Sequence, residues 1–490
     1  MRITLDPPGP RWPAPSVPAS SPASGRDRSA LASLVAGHAQ RLRTAELPDR
    51  PAIFATGHQA WLWHCGILAK DLAMAAACRH HHAAPLHLVV DQDAHDALTL
   101  SLPHIHEQRL TAERLRLAPT HPDIPTGFQP PVDPAALAHA LDAAPHPALA
   151  PLRDAVAHLP PTRTLAQQIT AILARLMHRH VAELPVLFVS DLPGLESYRE
   201  LLTALLHDAR AAAEAYNHAV AAVPQAGLTP LRLEPDRVEL PLWLARWNEP
   251  RRRVFADLAD TTPIFTDDAG EPIELERASQ AGPRSALLPR AMLLTAFMRS
   301  AVCQMFIHGT GGGLYDQATD HWWRAWRGQS LAPAVVATAD VRLSFPHLPL
   351  ADAAALARAR WRVHHAPHNV DRLLKLDDTL TREKQRVLTT ILAPHARHAR
   401  HARHATTRRH RQLAFTHLHR INARLAAAHP HVIAHAHDEL RQTRLGLANA
   451  ATARRRDWPF FLHDDEDLAE LRRRIDACLA RPPAPCDAPR

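Results

Sequence analysis

Four short apolar runs limit what this chain can fold into. Ala52 to Thr56 stops at Gly57, Leu86 to Val90 at Asp91, Pro185 to Ser190 at Asp191, and Val302 to Ile307 at His308. Runs of this length without polar alternation suit strands covered on both faces. Between them lie segments with helical apolar spacing, near Ser29 to Thr44, Ala60 to Cys78 and Leu314 to Arg327. Strands that alternate with helices in one sheet need crossover connections, which are right-handed, so the predicted class is α/β with a mostly parallel sheet and helices on both faces. Ligand sites on such a sheet lie at the carboxyl ends of its strands.

A chain of 490 residues exceeds one compact core, and two or three units are expected. Residues 1–28 are rich in Pro and Ser and read as an arm. Residues 29–345 carry the α/β core, with Pro-rich insertions over about 105–160 and 225–285. From 346 to 455 the pattern changes. Leu373, Leu380 and Val387 recur every seven residues with Leu376 and Ile391 between them, and Leu418, Leu425 and Val432 are followed by Ile433, Leu440 and Leu447. This is the seam of a coiled coil, with a break expected beside Pro430. Two such helices joined through the His-Ala-Arg repeat at 396–404 predict an antiparallel coiled-coil hairpin. Residues 456–490 hold the apolar anchor Trp458 to Phe461 and a tail.

No run of about 18 uncharged apolar residues occurs and the amino terminus lacks the order of a signal peptide, so a cytoplasmic protein without a membrane partner is expected. Five cysteines with no CxxC pair argue against a disulfide framework or a cysteine zinc site. The net charge of +8 is spread along the chain except in the basic run 394–411, which reads as a solvated helix tip or as a nucleic-acid or partner-binding surface. Only three lysines occur, Lys70, Lys375 and Lys384, against a large excess of arginine, and most of the 36 histidines reflect the same composition bias.

Candidate site residues cluster at two strand ends. In Gly57-His58-Gln59, a turn from strand into helix would bring free backbone N–H groups to an anion, with His58 to donate a hydrogen bond or move a proton and Gln59 to hydrogen-bond. Lys70 lies too far along a helix starting at Ala60 to touch the same atom, at roughly 16 Å of rise, although a nucleotide-sized ligand could span the gap. After His308, four of the chain's 16 glycines fall in five positions: Gly309, Gly311, Gly312 and Gly313. They read as a loop whose φ > 0 angles form an anion-binding nest ahead of the helix that begins near Tyr315 and Asp316. The spacing is neither the dinucleotide fingerprint nor a P-loop. Asp91, Asp93 and His95 would share one face if the chain stays extended, an arrangement suited to an ammonium group or a metal, with a polar substrate preferred and no metal assigned.

Taken together, Gly57-His58-Gln59, Lys70 on the following helix, Val89 to Asp96, Leu288-Pro289-Arg290 before the glycine loop and Tyr315, and the late coiled coil resemble the bacillithiol biosynthesis cysteine-adding enzyme family over most of residues 50 to 460. The resemblance implies a Rossmann-like core with connecting insertions, a coiled-coil domain that forms dimers, and a reaction joining cysteine to an amino sugar attached to malate. His58 and Gln59 match the family's GHQ motif, Lys70 its lysine, and Gly311 to Gly313 its glycine turn. The family's Glu-Asp-His-Asp run appears here as Asp-Gln-Asp-Ala-His-Asp, and the glutamate after the glycine turn is replaced around Leu314 to Asp316. The expected function is a ligase forming a carbon–nitrogen bond on a small-molecule substrate, with His58 and Asp93 catalytic and ATP or ADP as the nucleotide. The alternative is a non-catalytic protein that binds nucleic acid or a partner through the basic hairpin.

Overall fold

The computed structural model describes residues 1–7, 12, 25–181, 184–260, 262–274, 285–392 and 404–480. The His-Ala-Arg repeat therefore lies outside the described residues, apart from His404. The chain is a mixed α/β protein that divides into two units. One comprises 1–102, 114–343 and 456–490, the other 103–113 and 344–455.

The first unit is organised by a six-stranded sheet. Its strands are β1 (Arg2–Asp6), β2 (Ile53–Gln59), β3 (Ala84–Val90), β6 (Val186–Phe188), β11 (Met305–His308) and β12 (Ala334–Asp340). The order across the sheet is β1-β12-β11-β2-β3-β6. Every pair is parallel except β1 with β12, so the expected parallel core is present with an antiparallel edge. That edge strand comes from the segment read as a structureless arm. Arg2–Asp6 alternates too little apolar surface to announce itself, and its place is set by backbone pairing with Ala334–Asp340. β12 was equally silent in the sequence.

The helix after β2 runs over Cys65–His81 rather than from Ala60. His64 caps it, its Nδ1 accepting from Gly66 N at 3.0 Å, while Trp63 is held outside the helix with its ring 4.8 Å from that of His87. This helix is apolar on nearly every face and is buried from Cys65 to Met74, as a helix enclosed by its unit must be. It ends at His82, whose φ of 52° stops propagation.

The Pro-rich stretch near 225–285 contains a second sheet that the sequence reading did not foresee. β7 (Arg237–Arg246), β8 (Arg252–Asp257), β9 (Ile264–Asp267) and β10 (Ser285–Pro289) form an antiparallel sheet of order β10-β7-β8-β9. Pro241 disguised β7, because proline cannot donate within a ladder. The pairing of β7 with β8 shifts between Leu240 and Trp243, and the Pro241 carbonyl instead accepts from Arg290 N at 2.8 Å. The 99–116 stretch forms a hairpin of β4 (Thr99–His106) and β5 (Arg109–Arg116).

In the second unit the heptad pattern does not lie on one continuous helix. Val370–Leu373 is a single turn, Lys375 adopts a φ of 51°, and a new helix spans Thr379–Leu392. Leu373 is accordingly 40 % exposed. The Thr379–Leu392 helix packs along His404–Ala428, where Ile421 and Leu425 meet Leu380, Val387 and Val370. Pro430 opens a separate helix, Pro430–Ala453, as proline at a first turn should. Asn449 on that helix is fully buried and is hydrogen-bonded to Leu110 N and to the Gln108 and Pro349 carbonyls.

Candidate functional site

The carboxyl ends of β2, β3 and β11 open onto a cavity of about 450 Å³. Of the residues singled out in the sequence, Gly57, His58, Gln59, Lys70, Asp93, His308, Gly309, Gly311, Gly312 and Tyr315 line it. They come from three parts of the chain that the parallel pairing of Ile307 with Thr56 and of His58 with Val89 brings side by side.

Gly57-His58-Gln59 is the end of β2 and not a turn into a helix. Gly57 is needed there because a Cβ would meet the Leu88 carbonyl oxygen at 2.8 Å. Because the next helix starts only at Cys65, Lys70 sits in its second turn, and its Nζ donates to the Gly57 carbonyl at 2.5 Å. The expectation that Lys70 would lie too far along the helix is thus overturned by the five-residue loop from Ala60 to His64. Lys70 is 4 % exposed, and burial pushes its ammonium down to about 8, with Asp71 opposing. Burial, and then the Lys70 charge, hold the His58 imidazole well below its ordinary value, so it is neutral at pH 7. Its ring stacks on Trp61 at 5.5 Å. Burial and Arg456 likewise depress His64, to about 4.

The glycines after His308 are not a nest. Gly309 is extended with φ −83°, the helix begins at Thr310, and none of these glycines has a positive φ. They answer to close approach instead. A Cβ on Gly312 would lie 2.3 Å from His308 Nδ1, and one on Gly313 would lie 2.4 Å from Val336 Cγ2. Gly313 therefore packs against β12. The first helical bond is Gly313 N to Gly309 O at 3.1 Å, which leaves the N–H groups of Thr310, Gly311 and Gly312 without an intrahelical acceptor at the cavity wall. Asp316 does not face the cavity. It lies 2.8 Å from Arg299 Nη1 and 3.3 Å from His308 Nε2, buried behind the site. Burial alone would raise this carboxyl, but His308 and Arg299 hold it below the usual range. Burial pushes the Tyr315 phenol up to about 12, so it stays a hydroxyl.

Asp91, Asp93 and His95 do not share a face. The chain turns immediately after Val90, with Asp91 N bonded back to Val89 O at 3.0 Å. Asp93 enters the cavity, accepting from Gln59 Nε2 at 2.9 Å and from Arg251 Nη1 at 2.7 Å. Asp91 is turned elsewhere and accepts from Ser190 N at 3.0 Å and Ser190 Oγ at 2.6 Å. His95 Nε2 sits 3.2 Å from the Ala60 carbonyl and braces the loop after β2.

Several lining residues carried no sequence signal. Arg456, nearly 400 positions after Gly57, reaches the cavity and hydrogen-bonds Thr338 Oγ1 at 3.0 Å. It is held by its neighbours in the apolar anchor, where Phe460 N donates to Trp63 O at 2.8 Å. Trp243, from the unforeseen second sheet, forms another wall, with the Arg251 and Arg290 guanidinium groups 4.4 Å and 4.2 Å from its ring centre. The result is a cavity lined by two cations, buried Lys70 and half-exposed Arg456, which also lies 3.4 Å from Asp340 Oδ1. A helix amino terminus, the imidazoles of His58, His64 and His308, the first two neutral, and the Asp93 carboxylate complete the lining. Such a set can hold an anion at one end and an amine at the other.

No protein-family model matches the chain, and no curated protein matches it in sequence.

Proposed function

We propose that the cavity is the active site of a cytoplasmic ligase forming a carbon–nitrogen bond, similar to the cysteine-adding enzymes of bacillithiol biosynthesis and built on a Rossmann-like core with a coiled-coil hairpin. The observation that carries this reading is Lys70: a lysine enclosed by protein, with no carboxylate partner among the described residues and its ammonium on the Gly57 carbonyl at the cavity. Burying a charge in that way is costly unless a ligand's charge completes it. The unpaired N–H groups of Thr310, Gly311 and Gly312, together with Lys70 and Arg456, fit the phosphates of ATP or ADP. Bound nucleotide would supply a phosphate-bearing leaving group on the carboxyl carbon of the amino acid.

The protein's own residues then have distinct tasks. Asp93 keeps oxygen lone pairs free beyond its bonds to Gln59 and Arg251, and orients the incoming amine. His58, neutral and beside it on β2, takes the proton that the nitrogen loses as it attacks the acyl carbon. Trp243, on the cavity wall, keeps water away from an intermediate that hydrolysis would otherwise consume.

The test is thermal unfolding of the full chain with and without ATP and ADP, in parallel with Lys70→Met and His58→Ala. A nucleotide at roughly 100 times its Kd adds ~2.7 kcal/mol, a shift of several degrees. The shift should vanish in Lys70→Met. In His58→Ala it should persist while turnover of cysteine with an amino sugar and ATP, followed by mass spectrometry, falls by about 100-fold or more. Absence of any nucleotide shift in the wild type would refute the nucleotide assignment, and unchanged turnover in His58→Ala would refute the base.

A further inference from the structure

The charge of the chain is divided between its two units. Residues 344–455, the bulk of the second unit, hold 20 Arg and Lys against seven Asp and Glu, a net of +13. The whole chain is +8, so the remaining residues sum to −5. An arginine-rich composition does not explain this, because it acts on both units while their charges have opposite sign. The seven carboxylates are moreover already engaged. Asp371, Asp377, Asp438 and Glu439 pair with Lys384, Arg382, Arg441 and Arg362, and Glu383 lies 2.7 Å from His417 Nε2. Asp352 and Asp378 each accept from a backbone N–H at a helix start, at 2.7 Å. Arg358, Arg360, Arg409, Arg420 and Arg424 are exposed and make no ion pair or side-chain hydrogen bond among the described residues.

Two helices arrange these groups. On His404–Ala428, Arg409, Leu413, Arg420 and Arg424 recur at spacings of four, seven and four, which sets them in one solvent-facing stripe, while Ile421 and Leu425 are buried. The stripe is about 22 Å long. On Ala353–His365, Arg358, Trp361 and His365 follow at spacings of three and four and share a face. Trp361 is 56 % exposed, the most open of the ten tryptophans, and its ring lies 4.2 Å from that of His365.

A stripe of guanidinium groups without counter-charge suits a polyanion, and an open indole beside an arginine suits a flat ring that stacks on it. An anionic membrane matches the charge but not this surface. A helix lying in a bilayer interface needs a free apolar face, whereas those of Thr379–Leu392 and His404–Ala428 are packed against each other. A duplex keeps its bases stacked on one another and offers none to Trp361. We infer that the helical unit binds single-stranded nucleic acid, with phosphates on Arg409, Arg420, Arg424 and Arg358 and an unpaired base on Trp361. This does not rest on the ligase reading, since none of these residues lines the cavity at Lys70.

The experiment is fluorescence anisotropy of labelled oligo-dT and oligo-rU, each of about 20 nucleotides, titrated with the full chain. With about five phosphates neutralised, one for each free arginine, binding should weaken by about 100-fold between about 50 and 200 mM salt. Arg420→Gln with Arg424→Gln should weaken low-salt binding by about tenfold or more and reduce the salt effect to about 20-fold, and lysine at both positions should restore both. Trp361→Ala should weaken binding by about tenfold and leave the salt effect unchanged. All three side chains are exposed, so the variants should melt as the wild type does. No binding at low salt, or binding indifferent to the arginine pair, would overturn the interface. Indifference to Trp361→Ala, or a duplex bound as tightly as the single strands, would overturn the preference for unpaired bases. Vesicles containing phosphatidylserine that bind as tightly as the oligonucleotides, with the same dependence on Trp361, would make this a membrane surface instead. Oligonucleotide binding without any stabilisation by ATP or ADP would leave this inference standing and count against the nucleotide assignment alone.

Discussion

Two of the three lysines are buried, one in each unit, and they are treated in opposite ways. Lys384, in the helical unit, is 3 % exposed, and its Nζ lies 2.6 Å from both Asp371 Oδ1 and the His368 carbonyl. Asp371 is as deeply buried, so each charge is met where it sits. Lys70 in the sheet unit is 4 % exposed and, among the described residues, donates only to the Gly57 carbonyl. The carboxylate next to it in sequence, Asp71, is turned to His87 at 2.7 Å. A buried cation with its own counter-ion holds helices in register, whereas one supplied with only a carbonyl is poised for a partner from outside.

Lys384→Met gives the largest effect. It leaves the Asp371 carboxylate buried and alone, and urea unfolding should show a loss of about 3–5 kcal/mol in the helical unit. Replacing Asp371 by leucine in the same protein should recover most of it. A small effect of the single change would mean that the pair is not the fastener it resembles.

Lys70 should show itself in the dependence of stability on pH. Its folded value of about 8 lies below the ordinary 10.5, so between those limits the unfolded chain holds the extra proton. Stability contributed at this position therefore rises as pH goes from about 8 to about 10.5 and is constant below, by at most ~3 kcal/mol. Lys70→Met should flatten that rise and be no less stable than the wild type at pH 7. A marked loss of stability would make Lys70 structural, like Lys384.

The smallest effect belongs to Asp71→Asn. Asp71 is the one charge that supports the Lys70 ammonium. Removing it should move the lower edge of the stability rise down by about one pH unit or less, while the amide oxygen still meets His87. A profile that does not move would show that the His87 contact already screens the carboxylate.

How much of this was legible in the sequence varies by residue. The strand ends were, because a run such as Leu86 to Val90 that stops at Asp91 can be covered on both faces only up to that point. Gly57, His58 and His308 were located for the same reason. The glycines were found but misread: their number pointed to a special backbone, whereas Gly312 and Gly313 make room for His308 and Val336. Asp93 was picked out together with Asp91 and His95, yet a turn of two residues sends the three to different places. Arg456 and Trp243 could not be found, since one depends on a carboxyl-terminal segment pinned to the loop at Trp63 and the other on a strand masked by Pro241.

Local pattern was enough to decide that this chain would build a parallel sheet with its polar residues at the carboxyl ends, because burial on two faces and helical crossovers leave little other choice. Tertiary structure alone decided that Lys70 reaches Gly57, that Asp93 but not Asp91 lines the cavity and that Arg456 joins it. Each of these depends on where a helix starts, how a short turn rotates or which distant segment packs alongside, and periodicity along the chain carries no record of such choices.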